Sequence, residues 1–159
     1  MGDTPQATLG RSRFIADRIA CMDEPVGKFP AGPRIMSPLG GPEWLACGTA
    51  GLAFDPICGD GTAHAVREAI LAAGVVRAIS DGGNAPELLA HYEARLTAGF
   101  QRHLAACLDF YRAGHGGPWW DEELAALQRG LEWGAAKMKS HGAFRYQLVG
   151  FELNRLAAV

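Results

Sequence analysis

Gly59-Asp60-Gly61-Thr62 is the stretch of this chain whose residue types and spacing are best suited to chemistry. Two glycines flank an acid and lead straight into an alanine-rich helical pattern. The first turn of a helix carries backbone N–H groups with no partner inside the helix. The macrodipole adds roughly half a positive charge at that end. Glycine has no Cβ, so a ligand approaches such a backbone closely. A mouth of this kind captures an anion or an electron-rich carbonyl. The plain alternative stands beside it, because most glycine-rich turns before helices bind nothing. Asp60 either caps the helix, the reading the sequence favours, or aims its carboxylate at a ligand. His64, one turn in, either faces that ligand or is a satisfied structural histidine, the commoner case. The dinucleotide fingerprint is not met: His64 stands where a third glycine belongs, and the preceding apolar run ends at Cys47.

The elements that must position this loop follow from periodicity. Trp44-Leu45-Ala46-Cys47 reads as a short buried strand, followed by turn signals at Gly48-Thr49 and Phe54-Asp55-Pro56. The helix from Gly61 runs to about Ile79, with Val66, Ile70, Ala73 and Val76 on one face. A helix apolar over so much of its surface is expected to be buried. Ser80 to Asn84 is a loop, and Pro86 suits the first turn of the longest helix, which reaches Ala113. Its stripe is Leu89, Tyr92, Leu96, Phe100, Leu104, Leu108 and Tyr111, with His91, Glu93, Arg95, Gln101 and Arg102 on the wet side and His103 in the core or at its boundary. After a break at His115-Gly116-Gly117-Pro118, Asp121 is expected to cap a third helix, with Glu122 and Glu123 in its first turn. Leu124, Leu127, Leu131 and Trp133 or Met138 give it an apolar side.

Toward the N-terminus, residues 1–10 read as loose. Phe14, Ile15, Ile19 and Met22 predict a short amphipathic helix over residues 11–22. Residues 23–42 are dense in proline and glycine, which excludes a helix there. Arg34 to Ser37 reads as a short strand inside that segment. The tail alternates Phe144, Tyr146, Leu148 and then Phe151, Leu153, a strand with a bulge at Gly150. Few partners are available to it, so it either joins another sheet or pairs with residues 34–37.

With 159 residues, 48% hydrophobic, 20% charged and a formal charge of −2, the chain suits one globular domain. That charge gives no reason to expect nucleic acid or an acidic membrane surface as a partner. Cys21, Cys47, Cys58 and Cys107 lack metal-ligand spacing and read as free, mostly buried thiols, with no metal site. No apolar run reaches the ~18 residues a membrane span needs, and no signal-peptide layout opens the chain, so the expected compartment is cytoplasmic.

The segment WLACGTAGLAFDPICGDGTAHAVREAILAA resembles the second FAD-binding motif of flavoprotein monooxygenases of the para-hydroxybenzoate-hydroxylase fold. It is most similar to the branch that includes the flavin-dependent tryptophan halogenases, the geranylgeranyl reductases and the flavoproteins that mature quinone-cofactor enzymes. The family motif runs G-D-A, then D-P, a small residue and G-x-G before an alanine-rich helix. Gly48-Thr49-Ala50, Asp55-Pro56 and Gly59-Asp60-Gly61 occupy those positions. The Ser37-Pro38-Leu39-Gly40 approach, the long helix and the RYQLVGFEL tail are similar too, so the resemblance covers most of residues 30–153. Thr49 stands where the family has aspartate, and the family's N-terminal βαβ unit with its GxGxxG is absent.

The resemblance implies a mostly α chain with a few short strands, the C-terminal part of an α/β FAD-binding fold lacking its N-terminal Rossmann unit. Residues 1–43 would be the N-terminal helix and the Pro/Gly-rich segment. Residues 44–159 would be the FAD-motif and helical region, within one domain overall. The implied cofactor site is Gly48, Thr49, Asp55, Pro56, Gly59, Asp60, Gly61 and Thr62, along the ribityl chain and the isoalloxazine edge. A complete enzyme of this type reduces FAD with NAD(P)H and uses oxygen to hydroxylate or halogenate an organic substrate. This chain would bind FAD weakly or only with a partner carrying the GxGxxG half, or would self-associate through its end strand. No residue is assigned as general acid or base, and activity of the chain alone is not expected. The alternative is a non-catalytic helical interaction module, or a remnant, that binds a protein partner through Trp119-Trp120 and the end strand, although packing of the two tryptophans against the long helix is the favoured reading of that pair.

Overall fold

A 28-residue helix, α3 (Ala85–Arg112), is the spine of the larger part of the chain. Asn84 Oδ1 accepts the Glu87 N–H (3.0 Å), and Pro86 sits in the first turn, so both the cap and the missing donor are where a helix start wants them. The computed structural model describes residues 4–23, 27, 31–114, 116–141 and 144–157, with Cys58 described by its backbone alone. The described chain is mostly helical with a few short strands.

Two compact units are present, Met1–Pro30 and Ala31–Val159. In the first, a helix α1 (Pro5–Gly10) is capped by Thr4, whose Oγ1 accepts the Ala7 N–H (3.2 Å). This reverses the sequence reading, which left residues 4–10 loose and placed a helix over 11–22. Only a 3-10 turn at Ala16–Arg18 forms there, and Phe14 is 82% exposed, with Ile15, Ile19 and Met22 exposed too. Short helices draw most of their stability from burying an apolar face, and this stripe buries none. The readings made for residues 1–3, 24–26, 28–30, 115 and 142–143 lie outside the described residues.

Among the described residues of the second unit, three separate antiparallel ladders accompany three helices. Strand β1 (Arg34–Ile35) pairs with β4 (Leu52–Ala53), Ile35 opposite Leu52. Strand β2 (Gly40–Gly41) pairs with β3 (Trp44–Leu45). Residues 31–43, grouped with the N-terminus in the sequence reading, therefore belong with this unit, and Leu39 is in its core. The strand at Trp44 is shorter and wetter than expected, since Trp44 and Cys47 are exposed. The tail is a hairpin of β5 (Tyr146–Val149) and β6 (Glu152–Arg155), not one bulged strand seeking residues 34–37. Gly150 has φ 62° while Phe151 does not have positive φ, the pattern of a type II′ turn that reverses the chain in two residues.

Helix α2 (Gly61–Ser80) and helix α4 (Pro118–His141) both pack against α3. Helix α4 starts one turn before Asp121, so Asp121 lies in its first turn and does not cap it. The core gathers Tyr92, Leu96, Phe100, Leu104 and Leu108 of α3 with Leu71 and Val75 of α2, Leu127 of α4, and Leu39 and Leu52. Tyr92 is fully buried, and its hydroxyl donates to the Ala46 carbonyl (2.8 Å), tying the strand region to α3. Tyr92→Phe removes that donor and is expected to lower the unfolding free energy by about 1 kcal/mol, read from a urea denaturation curve.

The buried face of α2 is not the expected one. Glu68, Leu71, Ala72 and Val75 point inward, while Val66 and Val76 are 55% and 52% exposed and Ala73 is exposed. In a helix apolar on nearly every side, periodicity alone does not choose the face. His91 also moves inward from its assigned wet side, because Phe144 and Tyr146 pack edge-on against its ring. Among the described residues, no helix is long and apolar enough to cross a membrane.

Candidate functional site

The glycine loop is held from behind by a polar cluster on α3. Asp55 is buried; its Oδ1 accepts the Ile57 N–H (2.9 Å) and its Oδ2 accepts the Tyr111 hydroxyl (2.5 Å). The Asp55 backbone N–H donates to His103 Nε2 (2.7 Å). An amide only donates, so that nitrogen is an acceptor and the ring is neutral with its proton on Nδ1. Burial pushes His103 below the ordinary imidazole range, against the pull of the Asp55 carboxylate. Burial first, and the bond to Asp55 second, raise the Tyr111 phenol above its usual value. Cys107 Sγ lies 3.3 Å from the same His103 nitrogen, but the thiol is fully buried. With no access to substrate, it is not a nucleophile's arrangement. This cluster fixes the loop to the helix.

From Asp55 the chain makes a 3-10 turn, Pro56–Cys58, and leaves it through Gly59 at φ 61°. That left-handed conformation is cheap only for glycine and turns the backbone into α2. Pro56, Gly59, Gly61 and Thr62 are exposed. Among the described residues, nothing stands within 4 Å of the place a Cβ would take on Gly59 or Gly61. The helix mouth is open.

Asp60 is the residue before the helix, but its carboxylate does not cap it. It swings along the side of α2 to Arg67 Nη2 (2.6 Å) and His64 Nε2 (3.1 Å). Capping, the reading favoured from sequence, is therefore corrected: a guanidinium seven residues on offers a charged partner that an exposed first-turn N–H does not match. His64 is held below its ordinary range by burial first and by Arg67 second, which works against a charged pair with Asp60. The ring also tilts against Phe54, centroids 4.1 Å apart.

Gly48 and Thr49 lie in a 3-10 turn, Gly48–Ala50, that packs on α2. A Cβ on Gly48 would stand 3.7 Å from the Ala65 Cβ, so the turn sits beside the helix's second turn. Thr49 is exposed. Pro56, Gly59, Gly61 and Thr62 are thus exposed around the helix mouth and Thr49 is exposed in the turn packed on α2, whereas Asp55 is buried and the Asp60 carboxylate turns to Arg67. The thiols are mixed rather than mostly buried: Cys107 is buried, Cys21 and Cys47 are exposed. Among the described residues no three metal-ligating side chains gather.

Sequence reasoning missed Glu68. It was counted among the few charges of α2, yet it is only 7% exposed and its Oε2 has no hydrogen-bond partner. Burial pushes its carboxyl up to about 7, against a backbone hydrogen bond from Gly48 that lowers it. The signal was present in the spacing, since Glu68 shares a face with Leu71, Ala72 and Val75 at three, four and seven residues. It lines a cavity of about 380 Å³ between α2, α3 and the hairpin.

No family model, no curated protein and no solved structure matches the chain.

Proposed function

We propose that this chain is the C-terminal part of a flavin-dependent oxidoreductase of the monooxygenase kind, and that it supplies the loop and helix mouth against which FAD rests. The carrying observation is the exposed loop at Gly59 and Gly61, where no described residue stands within 4 Å of either missing Cβ, with the Gly48–Ala50 turn packed on the same helix. The residues fit one side of the cofactor. Amide hydrogens of the first turn of α2 suit an electron-rich carbonyl edge, and the Thr49 hydroxyl suits a sugar-like hydroxyl. Where the motif has aspartate, threonine is neutral, which weakens such a contact by about 1–2 kcal/mol.

FAD, when bound, supplies hydride acceptance from NAD(P)H and reaction with oxygen. This chain's own part is electrostatic and positional. The positive end of α2 favours negative charge at the bound edge. Asp60, drawn off by Arg67, adds little opposing charge at the mouth. The Asp55–Tyr111–His103 cluster holds the loop in register. The exposed strip Val66, Ala69, Ala73 and Val76 on α2 is apolar surface that a sheet from a GxGxxG-bearing half would cover.

The test is direct. FAD is added to the purified chain, with and without the product of the neighbouring open reading frame, and yellow colour is followed through gel filtration. Colour retained with the partner, and at least tenfold weaker retention in Gly61→Val, is the expected result. A colourless chain in every mixture overturns the reading. A colourless chain that nevertheless forms a stable complex favours the interaction module, for which Trp119, 55% exposed and packed on Trp120 (4.6 Å), is the anchor.

A further inference from the structure

The cavity that Glu68 lines is bounded by Leu52 and Phe54, by α2, by α3 and by the β5–β6 hairpin through Leu148 and Gly150. Its volume of about 380 Å³ lies within the range of small-molecule sites. Most of its wall is aliphatic or aromatic. His64 and Arg67, both already joined to Asp60, break that apolar character, and so do two further features. Arg95 and Arg102 also line it, and among the described residues neither is paired with a carboxylate. Arg95 lies over the Phe144 ring, 5.1 Å from its centroid, so its charge is placed on an aromatic wall of the cavity. The second feature is Glu68 Oε2, buried and without a hydrogen bond. A buried polar atom left unpaired costs on the order of 1–3 kcal/mol. Glu68 is a lining residue, so a rotation of its side chain would offer that oxygen to a group arriving in the cavity.

We propose that this cavity binds a small organic anion with an apolar body, its carboxylate taken by Arg95 and Arg102 and a second polar group hydrogen-bonded by Glu68. Opposite-charge capture fits two exposed guanidinium groups at an apolar opening. The apolar body fits the Leu52, Phe54, Leu96 and Leu148 wall. The raised Glu68 carboxyl is protonated for part of the time near neutrality and then donates as well as accepts, so it meets a hydroxyl in either sense. The proposal rests on this cavity alone and not on flavin binding, since no residue of the open mouth takes part.

The experiment titrates octanoate, 8-hydroxyoctanoate and 1-octanol into the purified, isotopically labelled chain, following amide chemical shifts. Saturable shifts at Gly99, Leu148 and Gly150 are expected with octanoate, with 1-octanol at least fivefold weaker. Arg95→Ala/Arg102→Ala, two changes at exposed positions, is expected to weaken octanoate at least tenfold. The hydroxy acid is expected to bind at least fivefold tighter than octanoate to the wild type, and equally to Glu68→Leu. Glu68→Gln, which keeps the shape and a hydrogen-bonding group, retains part of that preference and serves if the leucine variant does not fold. Absent or non-saturating shifts at those amides, or affinity unchanged in the double arginine variant, overturn the proposal. A hydroxyl preference that survives in Glu68→Leu, or an absent preference in the wild type, removes Glu68 from it.

Discussion

Asp55→Ala is expected to lower the unfolding free energy by about 2–4 kcal/mol. The carboxylate is 8% exposed and serves the Tyr111 hydroxyl and the Ile57 N–H at once. Hydrogen bonds to a charged group contribute about 1.5–3 kcal/mol each, and the half-buried Tyr111 hydroxyl would lose its partner. The Ile57 amide belongs to an exposed turn, so water replaces its bond and the loss there falls at the low end. Tyr111→Phe removes one of the two bonds and is expected to cost about 1–2 kcal/mol. The double variant is expected to be less destabilised than the sum, by about 1–2 kcal/mol, because both changes remove the same bond. Urea denaturation of all four proteins checks this. Strict additivity would show that Asp55 and Tyr111 act separately and that the loop is held otherwise.

Glu68→Gln is expected to change how stability varies with pH. The folded-state carboxyl titrates near 7, against an ordinary value of 4.5. Between those values the folded protein holds a proton that the unfolded chain has released, so stability falls as pH rises through this window. The shift corresponds to about 2–4 kcal/mol lost between pH 4 and 8. Buried histidines act in the opposite sense: His91 is pushed down to about 4, by burial first and Arg95 second, and the stability it contributes is lost on acidification below the ordinary histidine range. The comparison of wild type with Glu68→Gln cancels the histidines. The variant should match the wild type near pH 4 and exceed it by about 2–4 kcal/mol at pH 8. A difference that stays flat across pH would remove Glu68 as a buried titrating group.

The three long helices were legible in the sequence because a 3.6-residue period sustained over many turns, with Asn84, Pro86 and Pro118 at their starts, leaves little alternative. The face of α2 was not legible, since valines and alanines surround it. Glu68 was hidden by its charge, which reads as solvent-seeking unless its spacing to Leu71 and Val75 is given more weight. The hairpin was read as one strand because alternation continues on both sides of Gly150. A bulge and a two-residue reversal then differ only in where the chain goes next. Tyr111, a stripe residue by period, turned out to anchor Asp55, a contact across 56 positions that no local pattern carries. The open glycine loop was legible as a loop and a helix start. That Asp60 leans sideways was not, because Arg67 competes with the cap through a geometry set only once α2 exists.

That lean makes the charge balance at the end of α2 sensitive to ionic strength. Asp60 and Arg67 are 44% and 60% exposed, and an exposed pair is worth at most about 1 kcal/mol and is screened by salt. In dilute buffer the guanidinium keeps the acid aside, and the terminus presents its bare positive end. In concentrated salt the tether slackens, and the carboxylate is free to swing back across the opening. Added electrolyte would then weaken the attraction of any anion twice over, once by shielding and once by returning a resident negative charge to the doorway.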